Sequence, residues 1–268
     1  MSRKPAVANM FYPGDKTQLM EQLEQFIKPD PKPRTALAAI SPHAGYMYSG
    51  HVAGAVFSKI KIPETVVILG PNHRGMGARA ALASSGSWET PLGTVPINET
   101  LARYVLDRAG DKIQDDPQVH VMEHSIEVQV PFLQALRPDV TIVPVCISYL
   151  PLADCESIGL ALAETVRDYG NKVLFVASTD MTHYESQETA KTKDQLAIDR
   201  ILELDPRGLY NVVAKQDITM CGVMPTTILL TACKALGSNE VELVQYTTSG
   251  EVTGDYAQVV GYAGFIIY

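Results

Sequence analysis

One stretch, Thr35-Ala-Leu-Ala-Ala-Ile-Ser-Pro-His43-Ala-Gly-Tyr46, constrains the fold more than any other. Residues 36–40 form an apolar run as long as a buried strand. Ser41-Pro42 stops it, because proline cannot donate to a sheet ladder and restricts the residue before it. From Ser49 the apolar period changes: Val52, Ala55, Val56 and Ile60 recur at helical spacing, with Ser49 as the expected N-cap. After a turn at residues 61–63, Thr65-Val-Val-Ile-Leu-Gly70 reads as a second buried strand, and Pro71-Asn72-His73 follows it. A strand, helix, strand unit is right-handed with parallel strands, so both strands end at one sheet edge and bring His43 and His73 side by side. Ligands of open α/β sheets bind outside the carboxyl ends of the strands. Either histidine alone could be an ordinary turn residue; two in corresponding places point to metal binding or catalysis.

The rest of the chain extends this pattern. Residues 140–147 read as a third buried strand, in which Pro144 signals a bulge or an edge. Residues 172–177 read as a fourth, and its exit, Ser178-Thr179-Asp180-Met181-Thr182-His183, again places a histidine beyond a strand end. Asp180 is positioned to orient an imidazole, as carboxylates commonly do. Glu123-His124-Ser125-Ile126-Glu127 begins a helical pattern capped by Ser125, where a helix dipole favours anions. Cys221 precedes an apolar helix at residues 226–236; the positive helix end favours thiolate there, and a thiolate can ligate a soft or borderline metal. Cys146 and Cys233 read as core. Phe11 and Tyr12 either pack down or line a pocket, Trp88 falls in a loop, residues 29–33 form a stiff connector, and residues 114–121 are polar, aperiodic and expected to be mobile. Residues 240–248 and 256–267 close the chain as strands. The expected architecture is a single α/β domain over residues 1–268, with a central, mostly parallel sheet flanked by helices.

Thirty acidic against twenty-two basic residues give a net charge of −8, and no run of Lys or Arg forms a patch. Nucleic acid and anionic membrane are therefore excluded as partners, leaving a small molecule or peptide. No apolar stretch reaches the roughly 18 residues of a membrane span, and the opening Met1-Ser-Arg-Lys-Pro5 lacks the apolar core of a signal peptide, so a cytoplasmic location is expected. Four cysteines without C-x-x-C spacing imply free thiols. No nucleotide cofactor is expected.

Phe11-Tyr12-Pro13, Pro42-His43-Ala44-Gly45-Tyr46, Gly70-Pro71-Asn72-His73, Glu123 to Glu127, Ser178-Thr179-Asp180 with His183, and Cys221-Gly222 occur here in the order seen in the Memo family. Bacterial and archaeal members of that family are labelled protein B of the AmmeMemoRadiSam system. The resemblance runs from about residue 5 to the carboxyl terminus. It implies a fold similar to the class III extradiol dioxygenases, which hold non-haem Fe(II) with two histidines and a glutamate and use a further histidine as acid/base. By position, His43 and His73 resemble the histidine ligands and His183 the acid/base residue, while Cys221 stands where those enzymes have the glutamate. That change alters metal preference and redox behaviour, since a thiolate is softer and oxidisable. The resemblance implies Fe(II) or Cu and a functional partnership with AMMECR1-like and radical SAM proteins; zinc, which also accepts two histidines and a cysteine, is a further option on ligand chemistry alone.

Two functions follow as expectations. In the first, His43, His73 and Cys221 bind the metal, His183 moves a proton, His124 steadies a small substrate, with an aromatic one as an option, and Tyr12, Tyr46, Trp88 and Asp180 line its site. In the second, the same cleft is a non-catalytic module that captures a peptide or small ligand, as in animal relatives described as signalling adaptors.

Overall fold

From the amino terminus the chain runs through Ser2–Arg3 (β1), Lys16–Phe26 (α1), Ala38–Ser41 (β2), Tyr46–Ser58 (α2), Thr65–Pro71 (β3), Ala80–Leu82 (β4), Ser87–Thr90 (β5), Gly93–Pro96 (β6) and Glu99–Ala109 (α3). It continues with Gln114–Asp115 (β7), Val130–Leu136 (α4), Thr141–Ile147 (β8), Leu152–Tyr169 (α5), Val173–Ser178 (β9), His183–Glu185 (β10), Gln187–Leu202 (α6), Pro206–Lys215 (α7), Val223–Ala235 (α8), Val241–Thr248 (β11), the single turn Gly250–Thr253 (α9) and Val259–Ile267 (β12). This computed structural model describes residues 2–28 and 30–268; Met1 and Pro29, the first residue of the expected connector, lie outside the described residues.

At the centre, β2, β9, β3 and β8 lie side by side and parallel. Their side chains are almost all buried, which is why these segments read as unbroken apolar runs rather than alternating ones. Both flanks are antiparallel: β12 pairs with β2, and β4 with β8. On the outside of β12 lies β11, while β10 pairs with the first residues of β12 on the side of β2, beyond the end of that strand. β2 and β3 end on the same edge, as the strand, helix, strand pattern requires, but β9 is inserted between them. Ser178 therefore comes out of the sheet between His43 and His73. Helices α1, α2 and α4 cover one face, and α5 to α8 cover the other.

Four local expectations are corrected. Ser49 does not cap α2, which starts three residues earlier with Gly45 at the cap, and the Ser49 hydroxyl instead bonds the Ala44 carbonyl. Pro144 marks neither a bulge nor an edge: it pairs in unbroken register with Ile68 in the middle of the parallel core. Its carbonyl accepts the Ala83 N–H, so its missing N–H faces the same side, just beyond the last β4–β8 pair, Leu82–Val145, where no strand needs it. Ser125 does not start a long helix either; a 3-10 turn, Glu127–Gln129, intervenes before α4. Residues 114–121, read as aperiodic, contain β7 and a 3-10 turn, Pro117–His120, whose histidine is buried.

Candidate metal centre

His43 follows the end of β2 and is almost wholly buried. Its Nδ1 lies 3.0 Å from Ser178 Oγ at the end of β9. Ser178 has one hydroxyl proton, which it gives to the Ser125 carbonyl at 2.5 Å, while Gln129 Nε2 donates to the same oxygen at 2.8 Å. With that proton committed, Ser178 can only accept from the imidazole. His43 is therefore protonated at Nδ1 and turns an Nε2 lone pair outward from the strand end.

His73 reaches the same tautomer by another route. Its Nδ1 is 2.9 Å from Glu123 Oε1, and its main-chain N–H donates to Glu123 Oε2 at 2.7 Å. Burial alone would raise the Glu123 pKa, but the hydrogen bond and charge of His73 and the Ser125 N–H bring it down to about 2. The group is thus a carboxylate, an acceptor only, and His73 keeps its proton on Nδ1 and frees Nε2.

Cys221 joins them from the approach to α8. Its Sγ lies 3.2 Å from His43 Nε2 and accepts the Asp180 N–H at 3.2 Å. Donor atoms of His43, His73 and Cys221 all fall within 4.8 Å of one another. The expectation that a helix dipole favours the Cys221 thiolate is not met. Burial, reinforced by the charge of Asp180, pushes the thiol well above its ordinary range, the sulfur of this half-buried residue lying between Asp180 and His43. A second triad of nearby donors, His73, Glu123 and His124, has a different character. Both Glu123 oxygens are already occupied by the N–H groups of His73, His124 and Ser125 and by His73 Nδ1, so this carboxylate orients histidines.

His124 stacks on His73 with ring centroids 4.7 Å apart and stands edge-on to His43 at 5.5 Å, with Phe11 packed on it at 4.7 Å. Burial lowers its pKa to about 4 against the pull of Glu123, which keeps it neutral. His183 donates its Nδ1–H to the Thr219 carbonyl at 2.9 Å, which leaves Nε2 without a hydrogen-bond partner among the described residues, just beyond the Asp180 exit of β9. Asp180 supports His43 through the backbone: its Oδ1 accepts the His43 N–H at 2.7 Å, while Oδ2 stays 4.0 Å from the ring. Burial raises the Asp180 pKa to about 6, with the His43 N–H opposing.

Three expected wall residues lie in the core instead. The Tyr12 hydroxyl bonds Glu127 Oε1 at 2.6 Å, Tyr46 bonds the Val128 carbonyl at 2.7 Å, and Trp88 packs under the Arg3 guanidinium and beside His120. Each buries a large ring whose polar tip is satisfied internally or packed away, leaving nothing to offer a ligand. Gln129 and Thr219 did not emerge from the sequence as site residues; Glu123 and Ser178 lay within the motifs of the family resemblance, but their part in setting the tautomers did not. A cavity of about 760 Å³ lies at the opposite, amino-terminal edge of the sheet, between Thr35, Lys61, Lys172 and Tyr268, and none of the site residues lines it.

Fold and site together define a single-domain α/β protein with a histidine and cysteine cluster at the carboxyl edge of a parallel sheet. The chain belongs to the Memo family: the profile described as "Memo-like protein" matches residues 3–266. MEMO1 family proteins of Methanopyrus kandleri and Thermotoga maritima are each 41% identical, the first covering 99% of both chains and the second 100% of both. A third, from Pyrobaculum aerophilum, is 40% identical over 99% of both chains. Among solved structures, an uncharacterized protein of Escherichia coli K12 is similar in fold, with a TM-score of 0.58 at 15% identity, covering 86% of this chain and 99% of that one. Among the described residues no helix is long and apolar enough to cross a membrane.

Proposed function

We propose that this protein is a non-haem metal protein acting on a small, hydroxylated aromatic compound, with His43, His73 and Cys221 as ligands. The observation that carries the reading is the pair of enforced tautomers: two Nε2 lone pairs, fixed by Ser178 and by Glu123, converge with one sulfur within 4.8 Å. Two imidazoles and a thiolate suit Fe(II), Cu or Zn, all borderline or soft ions. When bound, iron(II) or copper there would supply a redox-active Lewis acid. His183, with Nδ1 held by Thr219, keeps Nε2 available to take or return a substrate proton, and neutral His124 offers a stacking and hydrogen-bonding surface. Asp180 and Ser178 hold the His43 backbone and ring in register.

The test is anaerobic Fe(II) or Cu(I) titration followed by an oxygen-uptake assay with catechols. His43→Ala and Cys221→Ala should lose metal, whereas His183→Ala should keep metal and lose uptake. Stoichiometric metal binding unaffected by His43→Ala and Cys221→Ala would refute the assignment.

A further inference from the structure

The carboxyl edge holds three phenols that the proposed centre does not use. Tyr262, on β12, is only 2% exposed, yet its hydroxyl bonds no described residue and is not sealed in. A buried phenol ordinarily finds a partner. Gly261, its chain neighbour, exchanges main-chain hydrogen bonds with Met181 and Thr182, which fixes Tyr262 beside the Asp180 to His183 exit. Gly264, two residues on and on the same side of the strand, faces Val52 and Val56 of α2, so Tyr262 points toward that helix, whose first turn carries Tyr48. Burial, reinforced by Asp180, Tyr48 and Tyr184, keeps the Tyr262 phenol un-ionised and a donor.

Tyr184 supplies the second observation. It follows His183 directly, is 75% exposed, and holds φ at +60°, a region that bulky residues avoid. The register between β10 and β12 shifts at this residue. Such bulges re-aim a side chain, and backbone strain of this kind persists where surrounding structure enforces it. Here the enforcement comes from the His183 N–H bonded to Thr219 Oγ1 and from the Glu185–Lys193 ion pair.

We propose that Tyr184 and Tyr262 are the ligand-recognition residues of this site, Tyr262 hydrogen-bonding a hydroxyl group and Tyr184 stacking on the flat body that carries it. This rests on the metal-centre reading, so the experiment separates the two. Protein loaded with redox-silent Zn(II) is titrated with 4-nitrocatechol, followed by its absorbance, and zinc affinity is measured separately by chelator competition. Tyr262→Phe removes one oxygen and should raise the nitrocatechol Kd about fivefold, the worth of one hydrogen bond. Tyr184→Ala should raise it by a similar factor, and Tyr184→Phe should restore it. Zinc affinity should stay unchanged in all three variants. Kd values within twofold of the parent in both Tyr262→Phe and Tyr184→Ala, zinc affinity falling in parallel with Kd, or no nitrocatechol binding to the zinc-loaded parent would each overturn the assignment. Failure of the centre itself would show only in the chelator competition on the parent.

Discussion

Arg3 and Glu127 form a buried ion pair, 2.7 Å between Nη1 and Oε2, that ties the amino-terminal arm to the loop carrying His124. Glu127 also accepts the N–H groups of Ala6 and Val7 and the Tyr12 hydroxyl, while Arg3 reaches the carbonyls of His120 and Glu123. Removing one partner of such a pair leaves an uncompensated charge inside the protein. Arg3→Met should therefore destabilise by about 3–5 kcal/mol in denaturant unfolding. Arg3→Met combined with Glu127→Gln should recover part of that loss. A single variant as stable as the parent would show that the pair contributes nothing.

The Glu123 carboxylate makes the second prediction. It holds both the ring and the backbone of His73, and outer carboxylates that fix a histidine ligand typically govern metal affinity by 10–100-fold. Glu123→Gln should lower affinity by about that factor, while His43 keeps its tautomer through Ser178. The readout is competition with a chelator of known affinity. Unchanged affinity would mean that His73 is not a ligand.

The strand, helix, strand unit and the histidines at its ends could be read from the sequence because both rest on local pattern: apolar run length, a proline stop, helical spacing. What could not be read depends on strand order. Insertion of β9 between β2 and β3 is what brings Ser178 to His43, and nothing near residue 43 announces a hydroxyl 135 residues away. Tyr12, Tyr46 and Trp88 were misread for a related reason. An aromatic residue in a turn looks alike whether its ring faces a cleft or the core, and only the partner of its polar tip decides. The Cys221 dipole argument failed because it left out the burial and the neighbouring Asp180 charge that oppose the thiolate.

His120 provides a pH prediction away from the proposed ligands. Its Nε2 faces the Ala81 carbonyl at 3.1 Å, and its buried Nδ1 has no partner among the described residues. Burial, with Arg3 close by, lowers its pKa from an ordinary 6.5 to about 4. The folded state resists a proton that the unfolded chain accepts, so this contribution to stability is whole above pH 6.5 and is lost as pH falls through 4. At 1.36 kcal/mol per pKa unit the loss amounts to about 3 kcal/mol. His120→Gln, whose amide can still donate to Ala81, should flatten the slope of unfolding free energy against pH in that window. An unchanged slope would assign the acid sensitivity to other groups.

Gly222 separates the position of Cys221 from its chemistry. It caps α8 where the helix meets the exit of β9, and a Cβ there would stand 2.4 Å from Thr179 Cβ and 2.6 Å from the Ser178 carbonyl oxygen. These are a side-chain stem and a main-chain atom, so α8 must move rather than a flexible tip. Gly222→Ala should cost about 1–3 kcal/mol of stability, the usual range for overpacking. Because Cys221 is joined directly to this cap, the sulfur should also leave its place 3.2 Å from His43 Nε2. Metal affinity should then fall toward that of Cys221→Ala even though every ligand is present. Calorimetric unfolding and chelator competition on the same preparation test both parts, and a destabilised variant with parental affinity would mean that sulfur geometry does not control the centre.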